Sequence, residues 1–232
     1  MLLAWTLTVY WLILIESDEE LFEDEPIEYI RRDLEGSDSE TRRRAATELV
    51  RGLLDQYPAE VTAIISNYIQ HYLRRYNTNI AENWKDKDAA MFLLTSIAAK
   101  SVGSQVRCTL SKVTMSLNGC RGQLLTYDKH ICIQYGARET NSLVDILDFF
   151  QKNVVTDLNA PVSGSIHPIL KVDAIKYLYT FRGLFTKDQL LGAFPLLIRH
   201  LESTNYAVYT YAAICIERIL FMRASGTTGP LL

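Results

Sequence analysis

Four histidines, four cysteines and a dense run of carboxylates are the side chains here that would bind a metal or move a proton. Their spacing argues for neither. His71, His130, His167 and His200 stand far apart. None lies at the i, i+4 step from another histidine, cysteine or carboxylate that would place ligands on one helix face. Cys108, Cys120 and Cys132 follow one another at twelve-residue steps, with Cys215 remote and no C-x-x-C pair. They read as reduced thiols rather than zinc ligands or a disulfide frame. Asp18-Glu19-Glu20 belongs to an acidic run, not to a pair of carboxyls held in an apolar pocket with divergent pKa values. Phosphate-loop, nucleophile-elbow and H-E-x-x-H patterns are missing from the sequence. The expectation is no catalytic, cofactor-binding or metal site, and a chain that is not an enzyme.

Charge that binds rather than reacts is the alternative. Between Glu16 and Glu40 lie twelve acidic residues and two basic ones, Arg31 and Arg32. Arg42-Arg43-Arg44 is the densest basic cluster. Successive helix positions point about 100° apart, so one of the three faces inward while its neighbours meet solvent or pair locally, as Arg44 would with Glu48 four residues on. Arg31, Arg32, Arg42, Arg43 and Arg44 are the candidate partner-contact residues, suited to an acidic patch on another protein. With a net charge of −3 the chain carries no basic excess, so nucleic acid is not an expected partner.

The elements that would position these residues are helices. A pattern of small residue, small or apolar residue, then aliphatic three or four positions on occurs at Ala45, Ala46 and Leu49, at Ala89, Ala90 and Leu93, at Ala174, Ile175 and Leu178, and at Ala212, Ala213 and Ile216. That spacing sets small and aliphatic residues on one helix face, where a neighbouring helix can approach closely. Recurrence of one helical unit predicts a stacked array. Of the 232 residues 48% are hydrophobic, with only 11 Gly and 6 Pro, which suits helices. Hairpins are expected at 38–76, at 83–102 with 141–158, and at 168–203, followed by a lone helix from Tyr206. The stripe Ala45, Ala46, Leu49, Leu53 and Leu54 is expected to be buried. A further helix over Glu25–Glu35 opens on Pro26 and ends at Gly36.

Longer strings carry a resemblance. Leu21-Phe22-Glu23-Asp24-Glu25-Pro26-Ile27-Glu28-Tyr29-Ile30-Arg31-Arg32-Asp33-Leu34-Glu35-Gly36, Thr41-Arg42-Arg43-Arg44-Ala45-Ala46, Asn83-Trp84-Lys85-Asp86-Lys87-Asp88, Asp173-Ala174-Ile175-Lys176-Tyr177 and Tyr209-Thr210-Tyr211-Ala212-Ala213 resemble the CAS-type exportin (exportin-2) family of the karyopherin-β superfamily. The resemblance covers about 17–105 and 135–223 and corresponds to the middle of a much longer family chain. It implies an all-α HEAT-repeat solenoid of about three and a half hairpins. It also implies importin-α and the GTP form of the small GTPase Ran as partners, nucleoporins as a further partner class, and a location in nucleus and cytoplasm and at the nuclear envelope and pore. A HEAT scaffold or adaptor subunit without Ran is the alternative.

Three segments depart from the family pattern. Residues 1–15 are almost wholly apolar, but no Lys or Arg precedes them, no small-x-small cleavage site follows, and fifteen residues fall short of the roughly 18–20 needed to span a bilayer. They read as a buried helix or a foreign segment, against a membrane-anchored adaptor. Residues 224–232 form an irregular tail. Residues 106–134 read as an irregular insertion. Gln105-Val106-Arg107 is encodable as CAG-GTA-AGA and Ile131-Cys132-Ile133-Gln134 as a pyrimidine-led stretch ending in CAG, the two marks of an in-frame translated intron. A spliced transcript lacking codons 106–134 checks this. Terminal repeats need polar caps; none is evident, so exposed apolar ends and self-association are expected.

Overall fold

The spacing that recurs along the chain becomes a row of four helices. A computed structural model describes residues 16–35, 42–102, 137–162, 164 and 166–222; the segments 1–15 and 224–232, and all of 106–134 with its flanks, lie outside them. Ten α-helices are described: α1 (Glu16–Asp24), α2 (Pro26–Glu35), α3 (Arg42–Gln56), α4 (Pro58–Thr78), α5 (Trp84–Ala98), α6 (Ile146–Phe149), α7 (Val155–Leu158), α8 (Pro168–Thr180), α9 (Lys187–His200) and α10 (Tyr206–Leu220). A π-helical turn, Phe150–Val154, joins α6 to α7, and a 3₁₀ turn, Arg182–Leu184, follows α8. First helices α3, α5, α8 and α10 pack in sequence, each on the next. Second helices pack against them: α4 on α3 and α5, α7 with the π-helical turn on α8, and α9 on α10. The all-α array expected from the sequence is the observed architecture.

Helix boundaries follow local chemistry. Pro58 opens α4 and Pro168 opens α8, each in the first turn where its missing N–H costs nothing. Thr186 and Gln189 form a reciprocal capping box at α9, and the Asn205 side chain accepts from the Val208 N–H at 3.2 Å to cap α10. Pro195 lies inside α9 and does not end it; it sits on the exposed side, where water meets the carbonyl it leaves unbonded.

Two readings of the sequence need correction. The second repeat's first helix stops at Ala98, and Ala99–Val102 pairs antiparallel with Ala137–Thr140 as β1 and β2. Thr62 supports this ladder by accepting from Asn141 Nδ2 at 2.9 Å. The helix expected from Asn141 begins only at Ile146, and Leu143, within the expected span, is 56% exposed.

The stripe on α3 is also rotated from the one expected. Ala46, Thr47, Val50 and Leu54 are buried, whereas Ala45 is exposed and Leu49 is 52% exposed. Among the described residues α3 packs mainly on α4 and α5, whereas α10, at the other end of the row, packs on α2, α8 and α9, so less of the circumference of α3 is covered. Ala89, Ala174 and Ala212, flanked more fully, are at most 1% exposed. Ala174→Leu is therefore expected to destabilise by about 1–3 kcal/mol through overpacking. Ala45→Leu should stay within about 0.5 kcal/mol, and urea midpoints at constant m distinguish the two.

Candidate functional site

A seam of charged side chains runs across the row of first helices, and α2 lies over it. Asp33 of α2 accepts from Lys176 Nζ of α8 at 2.7 Å and from the Tyr211 hydroxyl of α10 at 2.6 Å. One turn away Arg43 of α3 makes a two-pronged contact with the Asp88 carboxylate of α5 and lays its guanidinium 4.4 Å from the centre of the Phe92 ring. At the far end Arg218 covers the Tyr179 ring at 4.1 Å. The i, i+3 spacing of Asp173 and Lys176 puts both on the α8 face that meets α2 and α5.

One carboxyl of the seam favours its proton more than an ordinary aspartate does. Burial, then the neighbouring Asp88 carboxylate, push the Asp173 carboxyl well above the ordinary range, against the pull of Lys176 and Arg43. Its hydrogen bond runs to Asp88, while its Oδ2 is buried without a partner. Asp33 goes the other way. Burial raises it, but the Lys176 charge and the hydrogen bonds from Lys176 and Tyr211 outweigh burial and leave it below the usual carboxylate value. A similar pair lies deeper: Lys87 of α5 and Asp157 of α7 meet at 2.6 Å, with side chains 4% and 3% exposed, and the ammonium sits 4.8 Å from the Tyr76 ring centre. These contacts join helices that are far apart in sequence and fix how each repeat sits on the next.

A second cluster ties α1 to the array. Glu19 meets Lys85 Nζ at 2.5 Å. His167 stacks flat on the Trp84 indole, with ring centres 3.7 Å apart. Glu19, Glu23 and His167 present ligand-type atoms within 4.8 Å of one another. They do not suit a metal. His167 Nδ1 accepts from the Ile169 N–H at 3.3 Å, so the neutral ring carries its proton on Nε2, the nitrogen facing Glu19. Metal-ligating histidines show the reverse arrangement, donating from the far nitrogen and binding through a bare one.

The five candidate arginines separate. Arg31 and Arg32 are exposed on α2, where both reach the Glu28 carboxylate, at 2.6 and 2.9 Å. Arg43 is committed to Asp88 inside the array, the inter-repeat role open to one member of the triplet. Arg44 is exposed on α3. Glu48, expected opposite Arg44, is bound by Arg51 at 2.9 Å. The Arg42 side chain lies outside the described residues, as does His130. His200 is fully buried, with Nε2 2.8 Å from the Leu158 carbonyl. The sequence reading missed Asp33, Asp173, Lys176 and Tyr211 as a group. The available signal was polar residues on otherwise apolar first-helix faces.

Leu143, Leu147 and Leu184 border a shallow groove of about 420 Å³ between the second and third hairpins, and all three are exposed. Among the described residues no helix is long and apolar enough to cross a membrane.

Comparison with known proteins places this geometry. The Cse1 family pattern matches residues 6–119 and 125–216, so it enters both the 1–15 and the 106–134 segments. Exportin-2 of Oreochromis niloticus is 44% identical over 207 residues, 89% of this chain and 18% of the relative. The importin alpha re-exporter of Saccharomyces cerevisiae is 40% identical over 213 residues, 92% of this chain and 19% of the relative. A solved structure, the exportin Cse1 in its cargo-free, cytoplasmic state, superposes with a TM-score of 0.73 at 40% identity, covering 90% of this chain and 20% of that one. The chain thus spans about a fifth of the length of the relatives it matches.

Proposed function

We propose, from the premise that this chain belongs to the Cse1 family, that it forms a section of a nuclear export receptor that carries importin-α out of the nucleus together with GTP-bound Ran. The observation that carries the reading is identity of 38–44% across about nine-tenths of the chain to proteins named exportin-2 or importin-α re-exporter. The charged seam supports it, because such a seam serves the geometry of a solenoid whose product is a shaped surface. In this reading the protein works by binding, without cofactor or catalysis, in nucleus and cytoplasm, with nucleoporins as a further class of partner. Arg31 and Arg32, exposed on α2, are the proposed contacts to an acidic partner surface. Residues 106–134 are proposed as an insertion outside the working array.

A chimera tests this directly. The present segment replaces its counterpart in the Saccharomyces cerevisiae re-exporter, and importin-α capture is measured with Ran loaded with GTP or GDP. Capture of importin-α that requires GTP-Ran is the expected result. A chimera that folds, by circular dichroism and sedimentation, yet retains neither partner overturns the proposal.

A further inference from the structure

His167 occupies an unusual capping position. It is the residue before α8, with extended backbone (φ −60°, ψ 137°), and its side chain rather than a Ser, Thr, Asp or Asn oxygen satisfies one of the free N–H groups of the first turn. Nδ1 takes the Ile169 N–H at 3.3 Å. Nε2 points the other way, 3.9 Å from the Glu19 carboxylate of α1. The ring is clamped against Trp84 with an interplanar angle of 1°, so it cannot easily turn away from either contact.

A neutral imidazole can do both jobs; an imidazolium cannot. Protonation fills the Nδ1 lone pair, and two N–H groups then face each other at the start of α8. The same proton gives the ring a full positive charge opposite Glu19. We propose that His167 is a proton-operated two-way contact: neutral it caps α8, and protonated it releases the cap and pairs with the carboxylates of α1. The groups facing it from α1 are Glu19 and Glu23, and from α5 Trp84, Lys85 and Asp88. Burial, the largest influence, lowers its affinity for the proton; Glu19, Glu23 and Asp88 favour the proton and Lys85 opposes it. The balance lies on the neutral side, so folding holds the cap above the ordinary imidazole range and weakens as pH falls through it.

Imidazole nitrogen spectra and amide exchange on the full chain test this from about pH 7.5 down to about 4.5, because burial sets the His167 midpoint below that of an ordinary histidine. At the upper end the His167 proton is expected on Nε2. Protection of the Ile169 amide, corrected for intrinsic exchange, should fall roughly fivefold towards the lower end, the equilibrium worth of one N-cap. His167→Asn, which caps but does not titrate, should hold that protection level. Glu19→Gln should move the His167 midpoint to lower pH. A proton on Nδ1 at neutral pH, flat Ile169 protection in the parent, an equal fall in His167→Asn, or an unmoved midpoint in Glu19→Gln would each overturn the proposal.

Discussion

Replacing Lys87 with alanine is expected to cost about 3–5 kcal/mol, the largest single effect in this chain, because it strands a buried charge. Asp157 receives its one hydrogen bond from Lys87 at 2.6 Å, and its other oxygen, Oδ2, is already buried without a partner. With the ammonium gone, nothing offsets the burial that lifts this carboxyl. The variant can recover part of the loss by taking a proton. A carboxyl raised above its unfolded value contributes stability below that value and loses it as pH rises through the folded one. The deficit should therefore shrink on acidification, contrary to the usual acid sensitivity. Lys87→Met with Asp157→Leu removes both charges and should come within about 1–2 kcal/mol of the parent or exceed it. Guanidinium denaturation of the three chains across pH separates the cost of an orphaned charge from the worth of the pair. A Lys87→Ala variant within 1 kcal/mol of the parent at neutral pH would show that water reaches Asp157.

What the sequence made legible was the array. The Ala-x-x-x-Leu step fixes which side chains share a helix face, and Ala89, Ala174 and Ala212 lie where it puts them. Its failure at Ala45 has a physical cause. Periodicity gives the angle between residues on one helix, not the direction in which neighbours lie, and α3 is covered from fewer sides than α5, α8 or α10. α1 went unread as a helix because its carboxylates outweigh the two apolar residues, Leu21 and Phe22, that dock it; Phe22 is 2% exposed. The seam was hidden for a similar reason. Asp33 and Tyr211 lie 178 positions apart, and no spacing rule links an aspartate on one helix to a tyrosine with three hairpins between them. Tyr211 packs in the core with a bonded hydroxyl, and only the fold reveals the acceptor. Arg43 was legible as one inward member of a triplet, but not its committed partner, Asp88.

The seam predicts a second large effect, at Asp33. Asp33→Ala leaves Lys176 Nζ and the buried Tyr211 hydroxyl without their acceptor, and should cost about 2–3 kcal/mol, the range for hydrogen bonds that involve a charged group. Asp33→Asn keeps an acceptor for Tyr211 and loses the charge, so it should fall between that variant and the parent. The acid side of the parent's stability profile carries the same signature. Asp33 is held below its ordinary value, so its contribution is present above that value and drains away as pH falls through the folded one. Neither variant should show this loss. Pairing Asp33→Ala with Lys176→Met should reveal coupling of roughly 1–2 kcal/mol, since each removes the other's partner. Amide exchange tells where the loss is felt. Phe22 and Ile30 anchor the hairpin by apolar contact, and Glu19 by charge to Lys85, so a hairpin that depends on Asp33 should show α2 amides opening well before those of α5. If α2 and α5 instead lose protection together, Asp33 holds the rows of helices to one another rather than the hairpin to the rows, and the seam acts as the spine of the array.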